Sequence, residues 1–325
     1  METRGFWRWI AALAVVATSS CAADAVPGSD SQPLEGFVAV NGTRLQYLDW
    51  GGRGRALILI HGLADDPHVF EDIAPAFTDR FHVIAYARRG SGSSNTEGPY
   101  DTPTLTEDLR GLMDALGIAQ ADLAGNSAGG NEVTAMAGRY PERVHRIVYL
   151  DAAYDGADPD VQLAITARPT IERPAGALAS LAAFKAYEQA TRYLGVKDLR
   201  RVEAYQRARV AIQADGTVVD RVSGETRKAL YVAMLGDKPR DYTRVRCPAL
   251  VIFAEHYYVP EAVEISRRGE IRAYEEIYWT AVQTKSADRI RREVATSEIV
   301  RVPGAHSNFL VISRDRVVSA MRAFL

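Results

Sequence analysis

The stretch Ala121-Asp122-Leu123-Ala124-Gly125-Asn126-Ser127-Ala128-Gly129-Gly130 decides the reading of the fold. An apolar run over residues 121–125 leads through Gly125-Asn126-Ser127-Ala128-Gly129 into a helical pattern over residues 130–140. A Gly-x-Ser-x-Gly turn between a strand and a helix has no room for a side chain at either glycine. It lifts the Ser127 hydroxyl clear of the sheet, at a helix N-terminus that favours developing negative charge. Ser127 is therefore the candidate nucleophile.

Outward from this turn, short apolar runs alternate with helix-length segments, the pattern of an α/β domain. Residues 37–40 and 44–50 flank Asn41-Gly42, a two-residue hairpin signal. The unbroken runs Ala56–Ile60 and His82–Tyr86 fit parallel strands covered on both faces. A helix is expected over residues 105–116, ending at Gly117, and further strands at Val144–Leu150, 249–253 and 298–302. A closing helix is expected over residues 315–325. Residues 154–242 break the alternation with helical spacing, as do the aromatic-rich residues 261–296.

Two further sites follow from their place in the chain. His61-Gly62 leaves the 56–60 strand directly, so the backbone there can approach the nucleophile. The N–H groups of Leu63 and Ala128 then form a candidate oxyanion hole, with His61 itself structural. Among six histidines, His306 combines a position after the last strand with the small-residue loop Pro303-Gly304-Ala305. It is the candidate base that a serine hydroxyl needs near neutral pH.

These motifs, with the Arg89-Gly90-Ser91-Gly92-Ser93-Ser94 turn, stand in an order and spacing that resemble the α/β-hydrolase superfamily over nearly all of residues 36–325. The resemblance implies an α/β-hydrolase fold. Its sheet would be mostly parallel and eight-stranded, with helices on both faces. The core would comprise residues 36–153 and 243–325, and residues 154–242 an inserted helical cap. It also implies a triad acid, and here the chain departs from the common pattern: Tyr257 stands where many relatives carry Asp. Asp151, at the end of the 144–150 strand, and Glu255, in the 254–260 loop, are the two alternatives. Asp151 is favoured. Either would accept the His306 N–H and stabilise the imidazolium. The activity implied is hydrolysis of a small carboxylic ester or lactone through an acyl-enzyme, in pockets walled by Tyr, Phe and Leu side chains between residues 155 and 280. Amide, peptide or carbon–carbon bond hydrolysis, and acyl transfer, are alternatives on the same fold. A catalytically degraded envelope binding protein is an alternative of another class.

Composition narrows the field. The chain has 325 residues, 47% apolar and 25% charged, with 39 basic residues against 41 acidic and a net charge of −2. That balance argues against nucleic acid as a partner. The 34 arginines against five lysines are scattered along the chain. No phosphate-loop, dinucleotide or metal-ligand motif is present, so no cofactor or metal is implied. Arg4 and Arg8, the apolar residues 10–17 and the small residues 18–23 read as a signal peptide over residues 1–23. Ordinary cleavage predicts a secreted or periplasmic protein. The imperfect lipobox Thr18-Ser19-Ser20-Cys21 predicts instead an envelope lipoprotein, attached to a membrane only through lipidated Cys21. Residues 24–35 read as a linker, and Cys247 as a small buried filler.

Overall fold

The computed structural model describes residues 32–325. The expected signal peptide, Cys21 and residues 24–31 of the expected linker lie outside the described residues. The chain runs β1 (Leu34–Val40), β2 (Thr43–Gly51), β3 (Ala56–Ile60), β4 (His82–Tyr86), α1 (Thr102–Ala115), β5 (Ala121–Asn126), α2 (Gly129–Arg139) and β6 (Val144–Leu150). It continues through α3 (Pro159–Thr166), α4 (Leu181–Ala190), α5 (Arg200–Ala208), β7 (Val210–Ile212), β8 (Val218–Asp220) and α6 (Gly224–Leu235). Then follow β9 (Ala249–His256), α7 (Arg268–Ile277), a π-helical turn over Tyr278–Thr284, α8 (Lys285–Glu293), β10 (Ser297–Ala305), α9 (Phe309–Ile312) and α10 (Arg314–Phe324).

Eight strands form one sheet in the order β1-β2-β4-β3-β5-β6-β9-β10. β2 runs antiparallel to both its neighbours, and every other pairing is parallel. Both faces of the sheet are covered, which explains the unbroken apolar runs. Alternate residues of each strand serve opposite layers: Ile58, Ile84, Leu123 and Tyr149 pack with α1, α2 and α8. Leu57, Leu59, Val83 and Val148 pack instead with Phe70, Phe77, Val317 and Met321.

The strand order reverses between β3 and β5, since β4 lies to one side of β3 and β5 to the other. Ligands of open α/β sheets bind beyond the carboxyl ends of the strands at such a switch point. Gly62 and Ser127 leave those two strands and so face the same crevice.

Several boundaries differ from the sequence reading. β1 begins at Leu34, so the last two residues of the expected linker pair with β2. α1 starts three residues earlier than its apolar spacing indicates, because Asp101 accepts the Thr104 N–H at 3.0 Å and caps a polar first turn. The interval read as helical also contains the hairpin β7–β8, whose Val210 and Val218 bury Phe184 of α4. β9 and β10 extend to His256 and Ala305, so Glu255 lies within a strand end rather than in a loop.

Candidate active site

The site is built from the ends of β5, β6 and β10. Ser127 has φ of +50°, in the left-handed region that L side chains rarely adopt, and its neighbours leave little freedom. A Cβ at Gly129 would lie 2.5 Å from the Ile60 carbonyl oxygen, and one at Gly62 only 3.1 Å from Ser127 Cβ. The sharp turn therefore depends on the close approach of the β3 and β5 ends.

Beyond β6, Asp151 also has a positive φ of +50°, and its N–H donates to Ile252 O at 2.7 Å. Its carboxylate is wholly buried and points toward β10. The His306 N–H donates to His256 O at 2.7 Å, which ties the start of the histidine loop to the end of β9. His306 Nδ1 lies 2.6 Å from Asp151 Oδ2, and Nε2 lies 3.0 Å from Ser127 Oγ.

The proton positions follow from the partners. An ionised carboxylate only accepts, so Nδ1 carries the hydrogen and Nε2 presents a lone pair to the Ser127 hydroxyl. Tyr154 OH lies 3.0 Å from Ser127 Oγ. With the Ser127 proton committed to His306, Tyr154 must donate to Ser127. Burial pushes the Tyr154 phenol well above its ordinary range, which keeps it a donor. Tyr278 OH donates to Asp151 Oδ2 at 2.6 Å, and the Ala254 N–H to Oδ1 at 3.3 Å. Burial, and then the Asp151 charge, push the Tyr278 phenol up as well.

Ser127, His306 and Asp151 are thus brought together. Glu255 is not: it is exposed, and among the described residues it makes no hydrogen bond or ion pair to His306. Tyr257, at the place of the usual acid, instead lays its ring against His306, 5.0 Å between centroids and 9° from parallel. Arg168 donates to the Tyr257 hydroxyl. Leu63 and Ala128 flank the serine, and among the described residues neither amide donates to a protein acceptor. No side chain caps the start of α2. His61 is buried, with Nδ1 2.8 Å from Gly62 O and Nε2 accepting the Arg88 N–H at 3.0 Å. Burial, aided by the Arg88 charge, holds its pKa down to about 4, so it is a neutral brace for the turn.

A cavity of about 530 Å³ opens over Ser127 and His306, with Gly62 and Leu63 in its wall. The expected lining of Tyr, Phe and Leu is only partly found: Tyr231 and Tyr257 line it, together with Arg168, Arg192, Arg227 and Lys228. Phe184 packs away from it, against the β7–β8 hairpin. Tyr154, Tyr278 and the arginines carry no motif, and only the three-dimensional arrangement reveals their roles. Among the described residues, no group of three or more His, Cys, Asp or Glu side chains is placed to hold a metal ion.

The family model described as alpha/beta hydrolase fold matches residues 55–229, more than half of the chain. Among curated proteins, the chain is 33% identical over 101 residues to 2-(acetamidomethylene)succinate hydrolase of Mesorhizobium japonicum, covering 31% of this chain and 36% of that one. It is 34% identical over 111 residues to 3-oxoadipate enol-lactonase 2 of Acinetobacter baylyi, covering 34% and 42%. The chain thus spans less than half the length of either relative. The crystal structure of E-2-(acetamidomethylene)succinate hydrolase superposes with a TM-score of 0.69 at 20% identity, over 90% of this chain and 98% of that one, a likeness of fold.

Proposed function

The chain belongs to the alpha/beta hydrolase fold family, and from that premise we propose that it is a serine hydrolase of small carboxylic esters, lactones included. The observation that carries this reading is the relay Asp151–His306–Ser127, closed at 2.6 and 3.0 Å on a left-handed serine turn. As Ser127 Oγ bonds the acyl carbon, its proton passes to His306 Nε2, and the carbonyl electron pair moves onto oxygen. The Leu63 and Ala128 amides, unclaimed by other acceptors, hold that oxyanion. Collapse breaks the bond to the leaving alkoxide, which takes the proton from His306. Water then gives a proton to His306 and bonds the acyl carbon; collapse breaks the bond to Ser127 Oγ, which retakes the proton from His306 Nε2 as the acid leaves.

Asp151 is the acid in this reading, because it alone of the two alternatives meets His306. The enol-lactonase name of one relative supports the inclusion of lactones. The test is hydrolysis of 4-nitrophenyl butyrate: Ser127→Ala is expected to lower turnover roughly a million-fold. A variant within tenfold of wild type would overturn the mechanism.

The export reading rests on Arg4, Arg8 and the apolar residues 10–17. N-terminal mass mapping of the protein from its native host tests it. The expected mature start is at Cys21 with lipid, or within a few residues of it without; a chain retaining Met1 contradicts export.

A further inference from the structure

The cavity over Ser127 and His306 is lined by four cationic side chains, Arg168, Arg192, Arg227 and Lys228, against the single carboxylate of Asp65. Elsewhere several arginines are closed by acids, although the buried Arg240 guanidinium bonds only the neutral Asn131, Ala152 and Tyr242. Arg88 pairs with Glu132, Arg89 with Asp108 at 2.9 Å, and Arg289 with Asp155 at 2.7 Å. Around the cavity this pairing lapses. Arg227 comes no nearer than 3.8 Å to Asp220. Among the described residues, Arg168, Arg192 and Lys228 form no ion pair with a carboxylate. The Asp65 carboxylate accepts the Tyr205 hydroxyl at 2.5 Å.

The two guanidinium groups nearest the relay are nevertheless held in place. Arg168 donates to the hydroxyl of Tyr257, whose ring stacks on His306. Arg192 Nε donates to Ser307 O at 2.8 Å, one residue beyond the base, and Asn308 Nδ2 donates to Arg192 O at 2.7 Å. Each guanidinium is anchored by one nitrogen to a neutral group, and among the described residues its other donors bond no carboxylate, although Asp65 and Glu188 lie near enough to Arg192 to favour its charge. A planar fork fixed in this way matches a carboxylate, and a cleft lined by one sign of charge concentrates ligands of the other.

Resting on the hydrolase reading, we infer that the site selects acyl substrates carrying a free carboxylate a few atoms from the scissile carbonyl, bound by Arg168 and Arg192. Monoesters and lactone-derived esters of small dicarboxylic acids are the class that fits.

The test compares kcat/KM for the mono-4-nitrophenyl ester of succinic acid with that for 4-nitrophenyl butyrate. The wild type is expected to favour the anionic ester by about tenfold or more, and the double variant Arg168→Gln/Arg192→Gln to lose about that factor from the ratio. A glutamine at 192 places its amide where Arg192 Nε stood and can still donate to the Ser307 carbonyl, whereas one at 168 falls short of the Tyr257 hydroxyl that Arg168 reaches through a terminal nitrogen. The preference should also shrink as salt is raised. A wild-type ratio near one, or a ratio unmoved in the double variant, overturns the inference while leaving the hydrolase reading intact. Calorimetric titration of Ser127→Ala with succinate separates the remaining cases. Binding that the two arginine substitutions abolish, without hydrolysis of either ester by wild type, sustains the anion site and overturns the hydrolase reading. Absence of both binding and hydrolysis overturns both.

Discussion

Asp151→Asn keeps the shape of the side chain and removes its charge. Asp151 is wholly buried, with Oδ2 receiving His306 Nδ1–H at 2.6 Å and Tyr278 OH at 2.6 Å, and Oδ1 receiving the Ala254 N–H at 3.3 Å. An amide whose NH2 replaces Oδ2 sets a donor against Nδ1, so the imidazole must carry its proton on Nε2 and can no longer take the Ser127 proton. The opposite orientation keeps the tautomer, sets the NH2 against the Ala254 N–H, and still leaves the imidazolium without a counter-charge. The charge alone is worth about 4 kcal/mol for partners about 4 Å apart at an effective dielectric near 20, or about a thousand-fold in rate. A wrong tautomer in comparable triads costs about ten-thousand-fold. The expected loss in kcat on 4-nitrophenyl butyrate is therefore between about a thousand-fold and ten-thousand-fold. KM is expected to stay within about threefold, because Asp151 does not line the cavity. Glu255→Gln, at an exposed position, is expected to leave kcat within about twofold. Circular dichroism on both variants checks that the fold is kept. An Asp151→Asn enzyme within tenfold of wild type, or a collapse in Glu255→Gln alone, would refute the assignment of the acid.

Three other outcomes follow from the same geometry. Ser127→Gly relieves a residue held at φ +50° and is expected to raise unfolding stability by about 1 kcal/mol while abolishing turnover; thermal melts that show no gain over Ser127→Ala contradict the strain. Gly129→Ala places a methyl 2.5 Å from the Ile60 carbonyl oxygen and is expected to cost about 3 kcal/mol in urea denaturation, with activity falling too. His61, held down to about 4 from 6.5, gives stability that is complete above pH 6.5 and is lost as pH falls toward 4, by up to about 3 kcal/mol. The stability gap between wild type and His61→Gln should narrow over that window, and a constant gap would contradict a buried neutral imidazole.

The sheet and the elbow were legible because their signals are local. A strand covered on both faces tends to read as an apolar run; β3 does so throughout, β4 after His82, and β6 over its last four residues. Ser127 and His306 were legible from loops that small residues open. Less visible were the elements whose cause is tertiary. β7 and β8 are three residues each and acquire an inside face only when Phe184 arrives from α4. Tyr278 meets Asp151 across 127 residues of chain, from a π-helical turn that no periodicity announces. The arginines of the cavity are, in sequence, scattered among the 34 of the chain. Their grouping appears only in the folded chain, where four cationic side chains and one carboxylate, Asp65, line the cavity over Ser127. The choice between Asp151 and Glu255 turned on strand length: β9 runs on through Glu255 and carries its side chain into solvent.

The central claim is that Ser127 is an activated nucleophile, and covalent labelling tests it most directly. The protein would be treated with a fluorophosphonate, and the adduct located by mass spectrometry of its peptides, beside Ser127→Ala under the same conditions. The account predicts one adduct per chain, on Ser127, and none in the variant. An unlabelled wild type, or equal labelling of Ser127→Ala, would contradict it.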